Sequence, residues 1–175
     1  PLGGGFSYSM AIQRALSDGF LNNVSGNDNT SKTWHGALKF FMDQGNGTRI
    51  SFGSNFETHE LGAQPIVNRT QSDFYYRATD FDEYTDIDRN QQFFTVESDM
   101  DSFRFVSISN RNDWSLNPNR LDIDISTEIS VTSPAQTSII IQDQNEWTQE
   151  FRIESQEDSE LESNLGVFYA DSEIK

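Results

Sequence analysis

Residues 145–171 contain two runs in which apolar and polar side chains alternate. The first run has one mostly apolar set and one polar set: Trp147, Gln149, Phe151 and Ile153 against Thr148, Glu150, Arg152 and Glu154. The second run sets Leu165, Val167 and Tyr169 against Gly166, Phe168 and Ala170. Alternation of this kind is typical of β-strands with one apolar face, and a short polar segment between two such runs indicates a hairpin. These residues therefore predict two antiparallel strands.

Earlier parts of the chain show the same period of two. The first strand begins at Phe6 and is followed by alternating segments at residues 33–42, 49–57, 91–97 and 102–110. The turn at 43–47 supplies two glycines and an asparagine, which suit the positive φ angles of a tight hairpin. Together with the hairpin above, the pattern predicts about seven strands.

Tight turns alternate along the chain with long polar segments, which are residues 17–31, 58–90 and 113–145. The interior of the last segment has only weak periodicity and receives no predicted element. In an up-and-down meander this order places every tight turn at one end of the sheet and every long loop at the other, as in bacterial outer-membrane barrels. We therefore predict an all-β, antiparallel up-and-down meander that forms an incomplete segment of a transmembrane β-barrel. A soluble sandwich or barrel is the alternative.

Composition agrees with a wall of strands better than with a thick core. The chain has 175 residues, enough for one domain over residues 1–175, yet only 34% of them are hydrophobic while 13% are aromatic. A formal charge of −16 argues against nucleic acid as a partner, because phosphate binding requires basic residues. The chain has no cysteine, which excludes disulfides and thiolate metal sites.

Candidate catalytic and metal sites are weak. His35 and His59 lie in different segments without a third ligand at metal spacing, so neither a metal nor a cofactor is predicted. The acidic residues of 80–88 lack the order of a calcium-binding loop, and we interpret them as a solvated loop. No phosphate-binding loop and no nucleophile motif is present, so no enzymatic activity is expected.

Three stretches resemble the barrel of TonB-dependent outer-membrane receptors. One is the end of the first strand, with Asp18, Gly19, Phe20, Leu21 and Asn23 in a D-G-F-L-x-N order. A second has Ser107, Ile108, Ser109 and Arg111 in register with a strand of the family. The third is the hairpin of 145–171, through Gln149, Glu150, Phe151, Arg152, Ile153 and Ser155 and then Gly166, Phe168 and Tyr169.

The resemblance implies part of a receptor in the bacterial outer membrane that takes up an iron–siderophore complex or a similar bulky ligand. Its implied partners are outer-membrane lipid, that ligand, and the TonB complex acting through a plug domain. The plug domain and most strands of such a barrel are missing from residues 1–175, so we expect a fragment of the barrel. The alternative function is that of a soluble secreted adhesin or carbohydrate-binding module, which would have two packed sheets.

Aromatic side chains in the long segments are candidate ligand contacts, since aromatic rings stack on siderophores and sugars. The candidates are Tyr75, Tyr76, Tyr84 and Trp114. Trp34, Trp147 and Tyr169 are instead expected at the membrane interface. The barrel hypothesis also predicts exposed apolar side chains on one face, at Phe52, Phe151, Ile153, Leu165 and Val167. The opposite, lumen-facing set comprises Gln13, Lys39, Asn55, Glu57, Arg104, Glu150, Arg152 and Glu154.

Overall fold

The computed structural model describes residues 5–23, 27–66, 75–124, 136–156 and 161–175. The described residues form strands and connections, with no helix. The strands are β1 (Phe6–Ser17), β2 (Asn22–Asn23), β3 (Ser31–Asp43), β4 (Thr48–Leu61), β5 (Tyr76–Arg77), β6 (Tyr84–Asp99), β7 (Phe103–Asp122), β8 (Thr137–Ser155) and β9 (Asn164–Ile174).

Seven of these strands form one open antiparallel sheet in the order β1-β3-β4-β6-β7-β8-β9. Each of the seven pairs with the next one along the chain, as an up-and-down meander requires. The predicted all-β meander of about seven strands is therefore confirmed. Tight connections lie at one end of the sheet, which we call the turn end, and long ones lie at the other, the loop end.

The strands extend further toward the loop end than the sequence pattern predicts. Much of segments 58–90 and 113–145 was expected to be loop or was left unassigned, yet both ends of each segment are strand in the structure. Asp88 pairs with Ser115, and Trp114 pairs with Gln144, deep inside these extensions. Backbone hydrogen bonds hold such ladders together without an apolar side chain, so the extensions leave little trace in hydropathy.

One surface of the sheet, which we call the apolar face, carries most of the large hydrophobic side chains. Residues that pair with one another across the seven strands form lateral rows. One row on this face contains Phe6, Met42, Ile50, Val96, Ser107, Phe151 and Val167. The next row begins with Tyr8, Phe40, Phe52 and Phe94. These side chains are not buried against a second layer: the exposed fractions of Phe52, Phe151 and Val167 are 42%, 47% and 68%. Ile153 and Leu165 are also exposed on this face, so the predicted exposure of all five residues is confirmed.

The opposite surface, the polar face, carries the predicted lumen-facing set. Gln13, His35, Glu57 and Arg89 form one of its lateral rows. Near the turn end, Arg49 and Arg104 both contact the Asp99 carboxylate, at N–O distances of 3.2 and 2.6 Å. Opposite charges on this face therefore neutralise one another across neighbouring strands.

Two glycines allow aromatic rings to lie flat across neighbouring strands. Gly36 pairs with Phe56 on the apolar face, and Gly53 pairs with Phe93 on the polar face. A Cβ atom built on either glycine would overlap the partner ring. Glycine inside a strand commonly marks such a close approach, so these positions exclude larger side chains.

Buried side chains are few and concentrate at the loop end. Leu21, Ala63 and Val106 are the buried hydrophobic residues among those described, and Leu21 and Ala63 both lie in connections. The described residues contain no second large sheet, because the remaining pair, β2 and β5, has two residues in each strand. The two packed sheets expected for a soluble sandwich are therefore not found in this part of the chain.

Candidate functional site: the loop end of the sheet

Two long connections interlock at the loop end. β2, in the connection after β1, pairs in parallel with β5, in the connection after β4. The amide of Asn22 donates a 2.8 Å hydrogen bond to the carbonyl of Tyr75. Residues 62 and 63 return to the first connection, where the amides of Gly62 and Ala63 donate to the carbonyls of Thr30 and Asp28. The two connections therefore form one joined structure above the strands.

Asparagine and aspartate side chains organise the first connection. Asn29 Oδ1 accepts from the amides of Phe20 and Leu21, at 2.9 and 2.8 Å. The amide of Asn23 donates to Asp28 Oδ1, and its Nδ2 donates to the hydroxyl of Thr79 in the other connection. Short amide and carboxylate side chains commonly bond nearby backbone groups in this way, so the Asn-rich composition shapes the loop.

Glu83 joins three elements and is 1% exposed. Its Oε1 accepts a 2.8 Å hydrogen bond from the amide of Asp122 at the end of β7, and its Oε2 accepts from the amide of Gln64. Its own amide donates to Oδ1 of Asn27 in the first connection. A buried carboxylate needs several donors to replace water, and these backbone amides supply them. The predicted solvated acidic loop is therefore wrong for Glu83.

Three predicted ligand contacts lie at this end with their side chains exposed. Tyr75 precedes β5, Tyr76 lies in β5, and Tyr84 opens β6, with exposed fractions of 67%, 41% and 37%. Tyr84 lines an open cavity of about 550 Å³ that is also bounded by Lys32, Glu60 and Asp86 on the apolar face. Exposed aromatic rings beside charged groups can stack on a large polar ligand.

Trp114 does not join these tyrosines. It was predicted in a loop, but it lies inside β7 on the polar face, paired with Arg89 of β6. Tyr84 pairs with Arg120, six residues further along β7, which is about 20 Å along a strand. The structure therefore brings Tyr75 and Tyr76 together, places Tyr84 at the same end, and separates Trp114 from all three.

Acidic side chains gather on the apolar face between the hydrophobic residues and the loop end. Burial raises the pKa of Asp86, and the neighbouring carboxylates of Glu60 and Asp88 raise it further. Glu60 is itself paired with Lys32. Below them a cavity of about 470 Å³ is bounded by residues that include Asp88, Asp113 and Asp143. This part of the apolar face is thus hydrophilic and negatively charged.

No family model matches the chain, and neither a curated protein nor a solved structure matches it. Within the described ranges, no helix is long and apolar enough to cross a membrane. The same residues include no group of three or more His, Asp or Glu side chains that could hold a metal ion. Sequence reasoning missed the central position of Glu83, which nothing distinguishes from the other acidic residues of 80–88 in the sequence.

Proposed function

We propose that the sheet is a section of the barrel wall of a TonB-dependent receptor in the bacterial outer membrane, which takes up an iron–siderophore complex or a similar bulky ligand. The observation that carries this proposal is the exposed apolar face backed by a polar, charge-paired face. Soluble proteins rarely expose a continuous apolar surface of this size. A barrel wall has lipid on one side and a hydrated lumen on the other, which accounts for both faces.

The positions of two tryptophans on the apolar face support a tilted wall. Trp34 on β3 and Trp147 on β8 are the aromatic residues of this face nearest the loop end on their strands. The residue of β8 in the same lateral row as Trp34 is Asp143, through the pairs with Thr58, Asp88 and Ser115. Trp147 lies four residues from Asp143, toward the turn end. The line from Trp34 to Trp147 therefore falls by about 14 Å over four interstrand steps of about 4.8 Å each, a slope of roughly 35°.

A flat membrane boundary would produce this slope on tilted strands. Strands of outer-membrane barrels tilt by about 35 to 45° from the barrel axis. Trp147 and Tyr169, whose ring centroids are 5.5 Å apart, and Trp34, which lies under the Arg14 guanidinium, then mark the headgroup level. In this proposal, the three aromatic residues lie at the membrane interface.

The two edge strands of the sheet support the proposal that it is part of a larger wall. Within the described residues β1 and β9 each pair on one side only, and every residue of β9 is exposed. An unpaired strand edge is unstable in hydrocarbon because its backbone groups have no partner there. In this proposal further strands continue the wall, and the TonB complex acts through a plug domain that such receptors carry besides their barrel.

The ligand would meet the loop end, where the side chains of Tyr75 and Tyr76 are exposed on the interlocked connections. We propose these two tyrosines as ligand contacts, with Tyr84 beside them. Trp114, on the polar face below, would line the lumen along which the ligand passes. The acidic surface at this end favours a ligand with positive or hydrogen-bond-donating groups over an anionic one.

Membrane insertion tests the proposal. The chain is refolded from urea in the presence of phosphatidylcholine vesicles and centrifuged through a density gradient. We expect it to float with the vesicles and to stay there in alkaline carbonate, because the apolar face is inserted. Recovery at the bottom as a soluble monomer would contradict the proposal and would favour the adhesin or carbohydrate-binding alternative.

A further inference from the structure

The tight turn between β3 and β4 exposes an asparagine with a reactive neighbour. Asn46 is followed by Gly47, and no other asparagine of the chain precedes a glycine. The Asn46 side chain is exposed at the tip of the turn, between Gly45 and Gly47, whose φ angles are 73° and 82°. Glycine at position 47 permits this backbone and leaves the following peptide nitrogen without a neighbouring side chain to shield it.

The Asn46 side chain folds back over this turn. Its Oδ1 accepts a 3.1 Å hydrogen bond from the amide of Thr48, two residues further on. Such a bond folds an asparagine side chain over the peptide unit that lies between the two residues. The nitrogen of that unit, from Gly47, donates no hydrogen bond among the described residues, whereas the Gly47 carbonyl accepts one of 2.9 Å from the amide of Asp99. The Gly47 nitrogen is therefore free to react.

The hydrogen bond from Thr48 also favours attack on the side-chain carbon Cγ of Asn46. Attack on Cγ turns Oδ1 into an oxyanion, and the Thr48 amide already donates to that oxygen. A donor placed where negative charge develops lowers the barrier, and a nucleophile within the same turn avoids the entropy cost of an encounter. Three consecutive residues thus supply the electrophile, the nucleophile and the oxyanion donor.

We propose that Asn46 is a site of spontaneous deamidation in the folded protein. The Gly47 nitrogen loses its proton and bonds to Asn46 Cγ, the bond from Cγ to Nδ2 breaks, and ammonia leaves. Water then opens the resulting succinimide ring at either of its two carbonyl carbons. One opening gives aspartate at position 46, and the other gives isoaspartate, in which the main chain runs through Cγ. The net reaction consumes one water molecule, releases one ammonia molecule and needs no further reactant.

Isoaspartate at this position disturbs the turn end of the sheet, because it adds a methylene group to the main chain. The turn is closed by a 3.0 Å hydrogen bond from the Gln44 amide to the Thr48 carbonyl. It is joined to the next tight turn through the bond from the Asp99 amide to the Gly47 carbonyl. A longer main chain displaces both acceptors, so deamidation loosens the two turns together.

The pair Asp18–Gly19 at the loop end lacks these conditions. Aspartate forms the same ring by loss of water, but the Gly19 amide is engaged by a 3.2 Å hydrogen bond to the hydroxyl of Ser17. Asn29 also fills the space beside Gly19 in which a Cβ atom would lie. The attacking nitrogen is therefore held at this pair and free at Asn46.

Mass spectrometry after incubation in heavy-oxygen water tests the site. The natural chain is folded in detergent micelles, incubated at pH 7 or pH 8, and then digested with trypsin in ordinary water. The fragments of residues 40–49 and 153–175 each contain a single asparagine, Asn46 and Asn164. Asn164 is exposed but precedes a leucine, so it is the matched control.

We expect fragment 40–49 to exchange its side-chain NH2 for OH with uptake of one heavy oxygen atom, and part of it to react with an isoaspartyl methyltransferase. Conversion should be about tenfold faster than at Asn164, and about tenfold faster at pH 8 than at pH 7, because the attacking nitrogen must lose a proton. Equal conversion of the two fragments would overturn the proposal. Conversion in urea but not in the folded chain would overturn it as well.

Two variants identify the reacting atoms. Asn46→Gln requires a six-membered ring and should slow conversion about tenfold while the exposed tip keeps an amide. Gly47→Ala places a methyl group beside the attacking nitrogen and should slow it similarly, although the positive φ also strains this variant. An unchanged rate in Asn46→Gln would overturn the proposal. The site does not depend on the proposed function, because no step involves lipid or ligand.

Discussion

At the scale of single residues, Glu83 is a buried position that joins the connections of the loop end. Glu83→Gln keeps the size of the side chain but loses the charge and one acceptor, so the amides of Asp122 and Gln64 lose part of their bonding. We expect local opening to become easier by about 2 kcal/mol, or roughly thirtyfold faster amide exchange. Hydrogen–deuterium exchange of the Asp122 amide measures this. Asp82→Asn, at an exposed neighbour, is the control and should change nothing.

Substitution of Gly53 tests how side chains pack on the polar face. In Gly53→Ala the new methyl group would overlap the Phe93 ring, which lies with its centroid 6.0 Å from Lys39 Nζ. Displacement of the ring should lower the free energy of unfolding in detergent by about 1 to 3 kcal/mol. The same substitution in a Phe93→Leu background should be less destabilising, because the smaller side chain can move aside. An equal effect in both backgrounds would show that the ring is not the cause.

Asp86 should make stability depend on pH. Burial and then the Glu60 and Asp88 carboxylates raise its pKa in the folded state above the ordinary value of 3.8. The folded state therefore binds the proton more tightly than the unfolded state, and stability falls as the pH rises from 3.8 through the folded pKa.

Asp86→Asn removes this ionisation. The variant should unfold at a higher denaturant concentration than the natural chain at pH 7 and at a similar one near pH 3, where the natural carboxyl is protonated as well. Asp101→Asn, at an exposed position in a turn, is the matched control. A variant that is less stable at neutral pH would show that the Asp86 carboxylate contributes a favourable interaction.

Residue-level sequence reasoning identified which side chains share a face but missed the loop-end network. Alternation assigns Lys39 and Glu150 to one side of a strand because the side-chain period is two. The contacts of Glu83 join residues 27, 64 and 122, and no local pattern connects positions so far apart. Glu83 is buried because three connections that are distant in the sequence meet around it.

At the scale of elements, the centres of the strands were predictable and their loop ends were not. The alternation is clear where one face is hydrophobic, as in the hairpin of 145–171. It disappears where both faces are polar, as in the extensions of β6 and β7, and where three isoleucines follow one another, as at 139–141 in β8. These extensions could therefore not be recognised, and Trp114 was placed in a loop. Tertiary pairing, which continues for the full length of each ladder, determined these ends.

β8 offers a test in which neighbouring positions face opposite solvents. Phe151→Arg puts a charge in the middle of the apolar residues and should reduce insertion into vesicles by about 2 to 4 kcal/mol. Thr148→Arg puts the same charge on the polar face of the same strand and should leave insertion unchanged. Flotation of the two variants beside the natural chain gives the comparison. Equal loss in both would show that β8 does not separate lipid from water.

At the scale of the whole molecule, the order of tight and long connections made the architecture of the sheet predictable. Pairing of each strand with its successor places the turns around 43–48 and 99–103 at one end and the interlocked connections at the other. If the line from Trp34 to Trp147 follows a membrane boundary, as proposed, the strands tilt by roughly 35°, an angle that could be calculated only from the register. Both properties are those expected of the proposed wall between two solvents.

The central claim is that the apolar face contacts lipid and the polar face contacts water. The chain has no cysteine, so single cysteines can carry spin labels at Phe52 and Val167 on the apolar face and at Asn55 and Glu150 on the polar face. In vesicles, electron paramagnetic resonance compares collision with oxygen, which concentrates in lipid, and with a water-soluble nickel chelate. We predict high oxygen and low nickel accessibility at the first pair and the reverse at the second. Equal nickel accessibility at all four positions would contradict the account.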